Sequence, residues 1–185
     1  SSRVAHAWGA GAPGGQGLDD LLRLLAHDAD FLRAGLELAR DPAYYADCGV
    51  ADTIGGRFDL ITAMVSVMMV RLEATDLRSE SALLAELFVE DMDGQLREFG
   101  VNDVVVGKRV GKLMSVLGGR LGAYRGALNA RDEARLAAAV ARNVTFVEGA
   151  DEAASAQKVA ARLLALFERL SRFDDRELMK ASGIW

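Results

Sequence analysis

The sequence contains one cysteine, two prolines and two histidines among 185 residues. With only Cys48, neither an intramolecular disulfide nor a cysteine metal cluster can form, and nothing indicates an oxidising compartment. Few prolines and a hydrophobic share of 51% argue against a disordered chain and favour packed helices. A chain of this length can bury an ordinary core without a disulfide or metal, so one domain is expected.

The sequence also lacks a long hydrophobic run and an excess of positive charge. Its longest strongly apolar run, residues 60–70, is shorter than the roughly 20 residues that a membrane-spanning helix needs. A net charge of -5 at pH 7 disfavours general binding to nucleic acid or to anionic lipid. Residues 1–17 are rich in Gly, Ala and Ser and are predicted to be a flexible tail, either native or introduced by cloning. Residues 18–185 are predicted to form the folded domain.

Residue patterns of common catalytic sites are missing. His6 lies in the tail, and His27 has only Asp30 at a helical metal-site spacing, so the paired-histidine metal motifs are excluded. There is no phosphate-binding Walker sequence and no nucleophile elbow. Cys48 has no histidine or basic residue beside it in the sequence, which favours a packed thiol over a nucleophile. We therefore expect no cofactor, no metal and no enzymatic activity.

What the chain does contain is apolar residues at helical spacing. This pattern predicts an all-α protein, a single compact domain of about six to seven helices. Asp41 and Pro42 are expected to start a short helix that Gly49 closes, and Asp52 or Thr53 to start a central helix that is apolar on every side. The other predicted helices cover residues 18–40, 84–99, 103–128, 131–146 and 154–173, with a short turn after residue 174.

The start of the predicted helix after Asp103 carries three cations, Lys108, Arg109 and Lys112. Positive side chains near the positive end of a helix dipole cost about 0.3–1 kcal/mol each when exposed and unpaired. Two explanations stay open: the charges pair inside the domain, with Glu90, Asp91, Asp93 or Asp59, or they form a basic edge that binds a partner.

The same helix carries small residues on one side. These are Gly111, Ser115, Gly118, Gly122 and Gly126. An interior glycine disfavours a helix by about 1 kcal/mol relative to alanine, so a reason for five small residues is needed. Such a side lets another helix approach closely, and that helix could belong to this domain or to a client protein.

Two segments resemble the ubiquinol-cytochrome c chaperone family. The first, residues 47–61, contains Asp-Thr-Ile-Gly-Gly-Arg-Phe-Asp, and the second, residues 88–110, contains Asp-Met-Asp-Gly-Gln-Leu-Arg-Glu-Phe-Gly-Val and Val-Gly-Lys-Arg-Val. The resemblance covers about residues 44–146. Ala51 stands where the family commonly has proline, and Gly94 interrupts the acidic segment, while the charged residues of both motifs match.

The resemblance implies a helical chaperone that binds newly made cytochrome b and assists assembly of ubiquinol-cytochrome c reductase. It implies a cytoplasmic protein, peripheral to the inner membrane, resembling alphaproteobacterial members, with a small second assembly factor or the ribosome as further partners. By motif position it marks Arg57, Asp59, Asp91, Asp93, Arg97, Lys108 and Arg109 as partner-binding candidates. Lys112, Gly118 and Gly122 join them from the basic edge and the small-residue side.

Two other functions remain open. A helical enzyme or binding protein for an isoprenoid or quinone-like ligand predicts a deep pocket with at least two converging carboxylates. A plain adaptor for another soluble protein predicts a large exposed apolar patch.

Overall fold

The computed structural model describes residues 32–74, 82, 85–91 and 103–174, and of residues 103–114 only the helical backbone. The fold is all-α, as predicted, and the described residues fall into seven helices. They are α1 (32–39), α2 (Pro42–Ala46), α3 (Ile54–Glu73), α4 (85–91, with residue 82 also helical), α5 (Asp103–Ala130), α6 (Glu133–Asn143) and α7 (Glu152–Ser171). The predicted tail boundary, His27 and the last turn lie outside the described residues.

Side-chain caps set the starts of the helices. The Asp41 carboxylate accepts a hydrogen bond from the Ala43 amide at 2.9 Å, and Pro42 occupies the first turn of α2. The Thr53 hydroxyl accepts one from the Gly56 amide at 3.1 Å and starts α3. Both predicted starts are confirmed because each cap satisfies amides that a helix end leaves unpaired.

Helix α3 is the centre of the domain. It packs against α5 and α7, while α6 packs against α5 and α7. Buried residues occur on every side of α3 between Leu60 and Leu72, as its sequence predicted. Its buried hydroxyls bond to the preceding turn: Thr62 donates to the Phe58 carbonyl at 2.8 Å and Ser66 to the Thr62 carbonyl at 2.7 Å.

A buried cation joins the far end of α3 to the end of α7. Arg71, only 5% exposed, donates to the carbonyl oxygens of Leu170 at 3.1 Å and Phe173 at 2.6 Å. The negative end of the α7 dipole and these carbonyls stabilise the guanidinium. The C-terminal ends of α3 and α7 are therefore held together.

The link before α3 and the link between α6 and α7 meet in an isolated antiparallel bridge between Val50 and Phe146. Cys48, beside this bridge, is buried, and burial raises the pKa of its thiol, which agrees with the predicted packed thiol. No described helix combines the length and apolar character needed to cross a bilayer.

Candidate functional site

The Asp59 carboxylate lies inside a junction of three chain segments. One oxygen, Oδ1, accepts a hydrogen bond from Arg120 Nη1 of α5 at 2.7 Å. The other, Oδ2, accepts from the Thr145 amide at 3.1 Å and the Thr145 hydroxyl at 2.7 Å. Asp59 is only 8% exposed, and three donors to a buried carboxylate offset much of its loss of water. Asp59 therefore joins α3, α5 and the α6–α7 link.

Backbone contacts close the same junction. The Ala51 amide donates to the Thr145 carbonyl at 2.9 Å, and the Val147 amide donates to the Gly49 carbonyl at 2.9 Å. Gly49 has a φ of +75°, which favours glycine. Gly56 touches the link so closely that a Cβ at this position would lie 1.9 Å from the Ala51 carbonyl oxygen. Two glycines of the first family segment are therefore demanded by this junction.

Aromatic contacts connect the two family segments. The Phe58 and Phe88 rings stack with centroids 6.4 Å apart and an interplanar angle of 27°. The Arg120 guanidinium lies over the Phe58 ring, 5.6 Å from its centroid. Since Phe88 is 1% exposed, this contact belongs to the core. The first segment and the start of the second therefore meet at Phe58, which Arg120 also contacts.

Arg57, one residue from this core, faces outward. Its side chain is 59% exposed, donates to the Asp52 carboxylate at 2.6 Å and lies over the Tyr45 ring at 5.8 Å. Neighbouring motif residues thus have opposite environments, because Phe58 and Asp59 face the core and Arg57 faces solvent. Arg57 remains a candidate for contact with a partner.

The other charged candidates are placed less fully. Asp91 is half-buried near the end of the described part of α4. Lys108, Arg109 and Lys112 lie in the first three turns of α5, where only the backbone is described. Asp93 and Arg97 lie outside the described residues. Asp59 was one of the acidic residues suggested to pair with Lys108, Arg109 and Lys112. It binds Arg120 and Thr145 instead.

The small-residue side of α5 faces away from the core. The buried positions among the described side chains of this helix are Leu117, Leu121, Tyr124, Ala127 and Leu128, whereas Ser115, Gly118, Gly119 and Gly122 are exposed. Among the described residues, no atom lies within 4 Å of a Cβ built on Gly118, Gly119 or Gly122. The close helix crossing inside the domain, one of the two explanations of these glycines, is therefore not found there.

The stripe ends differently at Gly126. A Cβ on this residue would lie 2.5 Å from Arg135 Nη2 of α6. Here the missing side chain makes room for a guanidinium of the same domain. Among the described residues, the small-residue side thus has no neighbour over Gly118 and Gly122 and is covered by Arg135 at Gly126.

A cavity of about 590 Å³ adjoins this face of α5. Its lining comes from the end of α3, from residue 82 and from the last two turns of α5: Met69, Val70, Glu73, Ala74, Ala82, Arg125 and Asn129. Arg125 Nε and Nη2 donate to the two Glu73 carboxylate oxygens at 2.9 and 3.0 Å. Glu73 is the only carboxylate among these lining residues, whereas the isoprenoid-enzyme alternative requires two.

Metal-binding groups are equally sparse. The part of the chain that the structure describes holds no group of three or more His, Cys, Asp or Glu residues able to bind a metal. The described residues with large exposed hydrophobic side chains are Ile54 at 77% and Val147 at 50%, single residues rather than the broad patch expected of an adaptor.

A family model described as ubiquinol-cytochrome c chaperone matches residues 46–185. The chain belongs to the ubiquinol-cytochrome c chaperone family. A solved structure, the Cbp3 homolog from Brucella abortus, is similar with a TM-score of 0.75 and 28% sequence identity over 89% of this chain and 91% of that chain. No curated protein matches the sequence. The resemblance drawn from the two motifs is confirmed.

A residue of the first family motif, Asp59, forms the centre of the junction. Asp59, a motif residue proposed from sequence as partner-binding, holds three parts of the fold together. The sequence argument missed its partners, Arg120 and Thr145. A lone arginine between Leu117 and Leu121 of a buried stripe was an available signal for Arg120, whereas nothing near Thr145 indicates a contact 86 residues away.

Proposed function

We propose that this protein is an assembly chaperone that binds newly made cytochrome b and assists assembly of ubiquinol-cytochrome c reductase. The match of residues 46–185 to the chaperone family carries this proposal. Catalysis is not part of it. The protein acts from the cytoplasm at the membrane surface, where a nascent membrane protein first exposes its apolar segments, and a small second assembly factor or the ribosome can share the task.

The open side of α5 is the client surface in this proposal. Gly118, Gly119 and Gly122 present no side chain, so the backbone of an apolar client helix can approach closely. The helix-in-groove mode of recognition uses such a face. Arg57, whose side chain is 59% exposed, is assigned to polar contacts at the edge of the client, together with Lys108, Arg109 and Lys112.

Affinity isolation of the full chain from cells making tagged cytochrome b tests the proposal. Cytochrome b is expected to co-purify, and a deletion strain is expected to accumulate less assembled reductase while cytochrome b transcript stays constant. Absence of cytochrome b from the isolate, together with normal assembly in the deletion strain, would refute the proposed function.

A charge-reversal variant tests whether the basic edge binds the client or pairs inside the domain. The variant Lys108→Glu/Arg109→Glu is expected to lose cytochrome b while keeping its melting temperature. A lowered melting temperature would instead assign the two charges to pairing inside the domain.

A further inference from the structure

The cavity at the end of α3 combines an apolar floor with one complete ion pair. Met69 and Val70 are 5% and 1% exposed, so their side chains form a packed base, and Ala74 and Ala82 add small apolar walls. The volume of about 590 Å³ lies within the range of roughly 300–1,000 Å³ typical of ligand sites. An amphiphile therefore fits this cavity better than a fully polar solute.

The Glu73–Arg125 ion pair at the edge of the cavity restricts the charge of the ligands that can bind. Glu73 and Arg125 form two parallel hydrogen bonds, and their charges cancel. Carboxylate oxygens retain unused lone pairs in this arrangement, and Arg125 Nη1 and the Asn129 amide can still donate. A purely anionic group would face the Glu73 carboxylate, and a purely cationic group would face the Arg125 guanidinium. A zwitterion satisfies both.

We propose that this cavity binds the headgroup of an aminophospholipid, phosphatidylethanolamine, at the membrane surface. The primary ammonium donates to Glu73, and the phosphate accepts from Arg125 and Asn129. The glycerol backbone and the first carbons of the acyl chains lie over Met69 and Val70. The residues lie where the end of α3 and the C-terminal third of α5 meet, beside the open face of α5. A lipid held there brings that face to the bilayer.

Short-chain phosphatidylethanolamine and phosphatidylcholine provide a direct test by calorimetric titration of the full chain. Only the ethanolamine form has N–H groups for Glu73, because the choline nitrogen is fully methylated. A hydrogen bond to a charged group corresponds to roughly a tenfold difference in affinity or more. We expect the ethanolamine lipid to bind about tenfold tighter, and equal affinity for the two lipids would overturn the proposal.

Two variants with matched controls locate the site. Glu73→Gln is expected to abolish the preference for ethanolamine, whereas Glu37→Gln, which alters the exposed Glu37–Arg40 pair on α1, keeps it. Ala82→Trp is expected to fill the cavity and abolish binding of both lipids, whereas Ala138→Trp on the exposed side of α6 leaves it unchanged. Ala82 is exposed, so the tryptophan variant is expected to fold, and unchanged lipid binding by it would refute the site.

Flotation with vesicles separates this site from general adhesion. Retention on vesicles that contain phosphatidylethanolamine, lost in Ala82→Trp, supports the proposal. Retention only on vesicles rich in phosphatidylglycerol would overturn it in favour of charge attraction. The inference does not rest on cytochrome b as client. Lipid binding by the chain, with cytochrome b absent from the isolate and normal reductase assembly in the deletion strain, would refute the proposed function alone.

Discussion

Helix α5 contributes to two regions of opposite character. At Arg120 it enters a closed junction, where the guanidinium pairs with buried Asp59 and covers the Phe58 ring. At Gly118 and Gly122, within one turn of Arg120, the described structure places nothing against the helix. Charged motif residues that look functional in the sequence can therefore serve the fold, whereas Gly118 and Gly122, which add no side chain, have no described neighbour within 4 Å of a built Cβ.

Removing the acid of the closed junction is expected to have the largest effect. Asp59→Ala leaves the Arg120 guanidinium unpaired in a mostly buried site and is expected to lower the free energy of unfolding by about 3–5 kcal/mol. Asp52→Ala removes the exposed pair with Arg57 and serves as the control, with a much smaller expected loss because solvent screens exposed charges. Urea denaturation measures both, and equal losses would show that the junction has no special weight.

Alkaline pH tests the packing of Tyr44 in α2, the short helix that precedes the junction. Burial raises the pKa of Tyr44 to about 12 from 10.0. Because the folded pKa exceeds the unfolded one, this stabilisation is complete below about pH 10 and is lost as the pH rises towards about 12. The resulting decrease in the free energy of unfolding between these pH values is expected to be roughly 2–3 kcal/mol. Urea midpoints measured across this range should fall less steeply for Tyr44→Phe, and identical slopes would contradict the assignment.

The neighbouring glycines of α3 provide a comparison within one turn. Gly56→Ala places a methyl group against the Ala51 carbonyl and is expected to destabilise the fold by about 1–3 kcal/mol. Gly55→Ala has only the Thr53 hydroxyl nearby, at 3.9 Å from the built Cβ, and is expected to stabilise it by up to about 1 kcal/mol. Thermal unfolding of the two variants should therefore shift in opposite directions, and a common direction would contradict the close approach.

Alanine substitutions on the open face of α5 are expected to stabilise the fold, in contrast to Gly56→Ala. Gly118→Ala and Gly122→Ala add methyl groups in open space and are expected to raise the free energy of unfolding by about 1 kcal/mol each. If a client helix packs there, the same variants retain less cytochrome b in affinity isolation. Gly55→Ala serves as the control for added helix stability without a change at this face. Full retention by the α5 variants would remove the face from the client surface.

Much of the fold was predictable because helix starts, stops and apolar faces are local properties. Asp41 and Thr53 cap the helices assigned to them, and the all-round apolar sequence of α3 placed it in the centre. Long-range contacts were not predictable. Arg120 lies 61 residues from Asp59 and Thr145 lies 86 residues from it, so no spacing rule connects them. The cavity between the ends of α3 and α5 was missed for the same reason.

The sequence by itself determined the fold class, the helix boundaries near the caps and the family, since all three follow from residues close together in the chain. Tertiary structure decided how each motif residue is used. It placed Asp59 inward and Arg57 outward because helix rotation at one packed interface sets the direction of every side chain. It also left Gly118 and Gly122 uncovered among the described residues, which composition and spacing cannot distinguish from a close internal crossing.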